Sequence, residues 1–226
     1  MVYPFLVLAV VMMVIYITVE LTQKPLYALF IKALASLSFI LLGVTRLLFV
    51  QSAYPESLGW ILLGLACGLI GDIVLALRPL RPKEEDKTII VLGIISFAMG
   101  HLFYLVGLSN IQNLSWMSYG MGMIAMVIVV IMSKVMKFDM GIARMPSYVY
   151  AFMIFLMIGQ GVFLMTISAQ NVAYLIFMIG AILFGISDLI LAPIYYTPQS
   201  SKMMVVLNLV TYYGAQILIA LSLWYM

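Results

Sequence analysis

A chain of 226 residues with 66% hydrophobic and 8% charged side chains cannot hide its apolar surface inside a water-soluble fold, so it reads as a polytopic membrane protein. Its 11 Lys+Arg and 8 Asp+Glu leave a formal net charge of +3. The basic residues sit in short loops between apolar runs, which excludes a nucleic-acid partner and reports membrane orientation instead.

Eight apolar segments follow one another at residues 3–20, 26–45, 58–77, 88–108, 116–136, 146–167, 171–192 and 203–225. Each has the length of a spanning helix, about 17–25 residues. Only helices suit such runs in lipid, because backbone groups there must be satisfied within the segment. The expected fold is therefore all-α: eight transmembrane helices forming one integral-membrane domain over residues 1–226. The first segment lacks a basic head and a small-residue cleavage site, so it is expected to be a helix of the bundle and not a removable signal. The second and third segments are the least cleanly separated, by Arg46 through Glu56. Cys67, the single cysteine, has no second thiol and reads as a small packing residue. The fifth segment is methionine-rich, which also suits packing. Short connections leave no room for a soluble domain, so any site lies within the membrane or at its edge.

Lys24, Arg78, Arg81, Lys83, Lys87, Lys134, Lys137, Arg144 and Lys202 fall in or beside the loops after segments one, three, five and seven, and Lys32 sits just inside segment two on that side. Arg46 alone is on the other side. The expected location is a cell membrane, with these loops cytoplasmic and both termini non-cytoplasmic.

Two acidic residues stand well inside apolar segments. Asp72 lies in Gly64-Leu65-Ala66-Cys67-Gly68-Leu69-Ile70-Gly71-Asp72-Ile73-Val74-Leu75-Ala76, and Asp188 in Gly180-Ala181-Ile182-Leu183-Phe184-Gly185-Ile186-Ser187-Asp188-Leu189-Ile190-Leu191-Ala192. In each, a Gly precedes the Asp by eight residues and the tail reads Asp-x-x-Leu-Ala. The segments are four apart and cross in the same direction, so a parallel four-plus-four repeat, with halves 1–110 and 115–226, stays open. It would put both carboxyl groups about 9 Å inside the cytoplasmic end. An ionisable group at this depth is costly and faces the bundle interior or a water-filled cavity. Each Asp is either an anchor between helices or part of a site, and two at matched depth favour the site.

Few other polar residues share the interior. Lys32 is a partner for one Asp or for a lipid phosphate, unless it snorkels to the interface. His101, the single histidine, shares a helix face with Phe97 and Tyr104, about 21 Å from Lys87 and past the bilayer centre. Asn208, Tyr212 and Gln216 step by four into one polar stripe, Ser187 precedes Asp188, and Tyr148 and Tyr150 open the sixth segment. One His and two Asp are too few for a metal site, and no cofactor is expected.

Ile70-Gly71-Asp72 with Leu75-Ala76, Gly100-His101-Leu102-Phe103-Tyr104, Phe184-x-x-Ser187-Asp188 with Leu191-Ala192, and the Tyr212-Tyr213-x-x-Gln216 ending together resemble the YhhN family of lysoplasmalogenase-like membrane proteins. The resemblance covers nearly the whole chain, with Lys24-Pro25 early on. One departure is Pro193 directly after Ala192, where the first motif continues with Leu77; it is expected to end that helix sooner. The resemblance implies hydrolysis of the vinyl ether bond of lysoplasmalogens, releasing a fatty aldehyde and glycerophospho-ethanolamine or -choline. The implied partner is thus a membrane lysophospholipid.

That chemistry suits these residues. Vinyl ether hydrolysis begins with proton transfer to carbon, giving an oxocarbenium ion; water adds, and the hemiacetal collapses to aldehyde and alcohol. Two carboxyl groups in a poorly hydrated site can divide the roles of acid and counter-charge, as in glycoside hydrolysis. Asp72 and Asp188 are the expected catalytic pair, either one serving as the acid. His101 or Tyr104 could orient water or the hemiacetal, and Lys32 could hold the substrate phosphate. Ser187, Tyr212 and Gln216 complete the expected substrate contacts. The same buried carboxylates also fit a proton-coupled transporter or a purely structural membrane protein. A lateral, dead-ended slot favours the enzyme, a two-sided vestibule the transporter, and a dry core with ion-paired Asp the structural role.

Overall fold

In the computed structural model, which describes residues 2–22, 24–49, 54–198 and 201–226, eight helices are long and apolar enough to cross a membrane. They are α1 (Val2–Leu21), α2 (Pro25–Phe49), α3 (Pro55–Ala76), α4 (Asp86–Ser109), α5 (Trp116–Val135), α6 (Arg144–Ile167), α7 (Val172–Tyr196) and α8 (Lys202–Ser222). The chain is an all-α, multi-pass membrane protein.

Helix starts follow local chemistry. The Ser115, Asn171 and Ser201 side chains accept the amides of Ser118, Ala173 and Met204, satisfying donors that a first turn leaves open. Pro25 and Pro55 begin α2 and α3, where a missing N–H costs nothing. The helices are apolar around most of their circumference, so packing, not amphipathic patterning, decides which face turns inward. Val11, Leu34, Ile70, Ile95, Ile128 and Ile186 face outward, toward what would be lipid in a membrane.

Two helices run about a full turn past their expected ends. α2 runs on to Phe49, past residue 45, and the added turn carries Arg46. Buried Arg46 donates through Nε to the Leu223 carbonyl at 2.8 Å, and Trp224 donates to the Leu42 carbonyl at 2.7 Å, tying the C-terminus to α2. A cation at a helix C-terminus meets the negative end of the dipole. Of the weakly separated stretch 46–56, residues 50–53 lie outside the described residues. Pro193 does not end α7, which continues to Tyr196. The ring removes one bond of the ladder, from the missing Pro193 amide to the Leu189 carbonyl, without stopping the helix, and Thr197 closes the turn by donating its amide (3.1 Å) and hydroxyl (2.7 Å) to the Pro193 carbonyl.

Most consecutive helices pack as antiparallel neighbours, but α4 packs on α6 and hardly on α5; α3 and α4 approach closely around Gly64 and Gly100. A Cβ on Gly64 would fall 2.9 Å from the Gly100 carbonyl oxygen, so only glycine allows this backbone contact. The loops after α1, α3, α5 and α7 gather at one end of the bundle. There Lys87 pairs with Asp139 at 2.7 Å, the Asp139 amide donates to the Tyr196 carbonyl, and Arg78 stacks on Tyr195. The half away from these loops is filled by Leu42, Leu58, Ile61, Leu65, Leu108, Phe177 and Ile219, all fully buried.

Candidate functional site

The half nearest the basic loops holds a small buried cluster of Ile90, Met140, Ala143 and Tyr196 and, beside it, open space. A cleft with about 1020 Å³ of space between its walls, mouth included, lies among α2, α3, α4, α6, α7 and α8. Its walls are mostly apolar, from Leu75, Ile90, Ile94, Ala151, Ile154, Leu189 and Leu191. Phe97, Phe184 and Tyr212 line its inner side and touch one another edge-on, with ring centroids 5.5–6.2 Å apart. Asp72 and Asp188 both line it, with Lys32, Ser187 and Asn208.

The two carboxyl groups live in unlike surroundings. Asp72 is buried and fully partnered. Lys32 Nζ lies 3.3 Å from Oδ1, while the Ser36 hydroxyl (2.5 Å) and the Tyr212 hydroxyl (2.7 Å) both donate to Oδ2. Lys32 is itself buried, so it does not snorkel to an interface. Gln216 donates to the Tyr212 oxygen at 3.2 Å and accepts the Tyr104 hydroxyl at 3.0 Å, so a relay runs Tyr104–Gln216–Tyr212–Asp72. Asp188 is half-buried, its polar neighbour is Tyr150, and its Oδ2 is buried with no hydrogen-bond partner. Ser187 and Asn208 beside it are bound to each other: Asn208 donates to the Ser187 carbonyl at 2.8 Å and to its hydroxyl oxygen at 2.9 Å. That pair pins α7 to α8.

Of the residues expected at the site, Asp72, Asp188, Lys32, Ser187 and Tyr212 line the cleft, and His101, Tyr104 and Gln216 stand one layer behind it. Buried His101 packs edge-on against Phe184 at 4.6 Å and lies 5.4 Å from the Tyr150 ring. Its Nδ1 is 3.4 Å from Met157 Sδ and its Nε2 has no partner. The two carboxyl groups are not among each other's polar contacts, so any difference between them arises from their neighbours. Ser36 was missed, though it stands one helical turn after Lys32 on the same face. Tyr195 was missed because the segment was ended at residue 192. Among the described residues no group of three His, Cys, Asp or Glu could hold a metal ion.

A second space, of about 1560 Å³ with its open mouth, adjoins the cleft at the basic end. Lys24, Lys32, Arg78, Arg81 and Lys83 line it, with Glu20 and Asp86. Lys32, Leu75, Leu191, Tyr195, Asn208 and Leu209 belong to both spaces.

Neither a curated protein nor a solved structure matches this sequence. The YhhN family matches it over residues 27–223, from the start of α2 to the end of α8, and the chain belongs to that family.

Proposed function

We propose that the protein is a lysoplasmalogenase-like hydrolase that cleaves the vinyl ether bond of a lysophospholipid within the membrane. Family membership is consistent with this activity. The observation that carries the reading is the pairing, in one apolar cleft, of a fully donated carboxylate with a carboxyl group that has an undonated oxygen.

Asp72, facing an ammonium and two hydroxyl donors, is held as the anion. Asp188, whose buried Oδ2 receives no hydrogen bond that would stabilise a negative charge, is the group suited to carry the proton. The alkenyl chain lies along the apolar walls with its ether oxygen between the two. Asp188 gives its proton to the second carbon of the chain, and the resulting oxocarbenium ion at the first carbon is stabilised by the negative charge of Asp72. Water adds to that carbon and returns a proton to Asp188. The hemiacetal then releases a fatty aldehyde and the glycerol hydroxyl, so the balance is one water consumed and no net proton. Tyr212, held by Gln216, keeps Asp72 aimed at the cleft. His101, behind Phe184 and Tyr150, acts by positioning them. Two matched Asp motifs meeting at one cleft are also what a parallel duplication would produce.

Both spaces lie toward the basic-loop end and the opposite half is packed, which favours a one-sided enzyme site over alternating transport. The test is purified protein supplied with a lysoplasmenyl phospholipid and assayed for released aldehyde. Aldehyde is expected from the wild type. The Asp188→Asn variant should lose about 100-fold or more, the scale of a missing general acid. Full activity in a folded Asp188→Asn protein would remove Asp188 from the mechanism.

A further inference from the structure

We propose that the basic vestibule is a phosphate site, and that Arg81 and Lys83 grip the phosphoester of a single-chain amphiphile whose tail occupies the cleft. The inference rests on the reading of the cleft as a lipid slot, and not on bond cleavage.

The charges in the vestibule are unequally engaged. Arg78 is committed twice, in a two-pronged pair with Asp86 (2.8 and 2.9 Å) and stacked on the Tyr195 ring at 4.0 Å. Lys32 is committed to Asp72. Glu20 takes the Tyr16 hydroxyl at 3.1 Å. Among the described residues Arg81 and Lys83 make no ion pair, and both are exposed at the mouth, where they can close on a ligand. Lys24, whose ammonium lies over the Tyr27 ring at 5.9 Å, adds a third cation on the facing loop. Glu84 and Glu85 share the turn of Lys83 but do not line the space. The result is a pocket with spare positive charge and spare donors, which suits a phosphoester better than a neutral head group.

Geometry connects this pocket to the cleft. The shared wall of Lys32, Tyr195 and Asn208 is where polar lining gives way to apolar, and Asp72 lies directly behind Lys32. An amphiphile with its phosphate among Arg81, Lys83 and Lys24 therefore brings its head-to-tail junction to the carboxyl groups. Phosphate binding acts as a ruler that selects which bond is presented.

The experiment measures binding, not turnover. Full-length protein in detergent is titrated with 1-O-hexadecyl-glycerophosphocholine, a saturated ether without a vinyl bond, and with 1-O-hexadecylglycerol, which lacks the phosphate. The wild type is expected to prefer the phosphate-bearing ligand by about fivefold or more, the size that two partly exposed charge-assisted contacts supply. The Arg81→Gln/Lys83→Gln variant should lose that preference and still bind hexadecylglycerol as the wild type does, which also shows that it is folded. Equal binding of the two ligands by the wild type, or an unchanged preference in the variant, would overturn the proposal. Inorganic phosphate displacing the phosphate-bearing ligand at equal concentration would identify a free-phosphate site and overturn the lipid assignment. Because no ligand here is cleaved, a failed aldehyde assay and a failed binding preference remain separate results.

Discussion

The Lys32–Asp72 pair is the most consequential contact at the residue scale. Both groups are buried, so neither can be removed alone without leaving the other uncompensated. Asp72→Asn should destabilise the protein by about 3 kcal/mol or more, because a stranded buried charge costs far more than an intact pair contributes. Lys32→Met combined with Asp72→Asn should be more stable than Asp72→Asn alone, though inactive. Thermal unfolding in a fixed detergent checks the order, and a double variant no more stable than the single one would contradict the ion-pair account. Asp188→Asn should instead leave the melting temperature within a degree or two of wild type, since Asp188 Oδ2 makes no hydrogen bond that could be lost. Such a separation of stability from activity at the two aspartates would distinguish a buried ion-pair partner from the proposed acid. How much of this was legible varied by residue. Both Asp stood out because burying a carboxyl group in an apolar run is costly, whether it serves as an anchor or in a site. Their unequal partners did not, because Ser36 and Tyr212 lie far from Asp72 along the chain and meet it only in the bundle.

Glycines set how closely α3 can be approached, and this is a property of the element. A Cβ on Gly68 would fall 2.6 Å from Gln216 Nε2, whereas one on Gly59 would meet nothing within 4 Å. Gly68→Ala should therefore displace Gln216, loosen its hold on Tyr212 and cost roughly 1–3 kcal/mol of stability together with activity. Gly59→Ala on the same helix should be silent in both assays, and equal effects at the two positions would show that helix propensity, not contact, was being measured. The spacing of Gly64, Gly68 and Gly71 already announced a close-packed face. Which helix packs there was not readable, since Tyr104 and Gly100 come from α4 and Gln216 from α8. The end of α7 was misjudged for a related reason. A proline within apolar sequence signals a break, but Pro193 costs α7 one backbone hydrogen bond and the helix continues to Tyr196.

At the scale of the whole molecule, the four basic loops share one end, and the cleft and vestibule belong to it. Positive-inside reasoning would make that end cytoplasmic and both termini external. In a Cys67→Ser background, Asn110→Cys should react with a membrane-impermeant maleimide from outside intact cells, and Lys134→Cys only after permeabilisation. The reverse pattern would invert the proposed orientation and put the vestibule on the outer face.

The chain by itself determined that this is a multi-pass helical membrane protein of the YhhN family. Hydrophobic runs of spanning length and the phase of the basic loops are local signals, and lipid leaves the backbone no alternative to helices. It also marked the carboxyl groups, since burying one is costly enough to demand a reason. Only the tertiary structure decided that the two share a cleft, that one is saturated with donors and the other has an oxygen without one, and that His101, Tyr104 and Gln216 stand behind the wall. Helices that are apolar on nearly every side carry little record of which face turns inward. That choice is made by shape, glycine against aromatic and hydroxyl against carboxylate, and shape exists only once the helices have met.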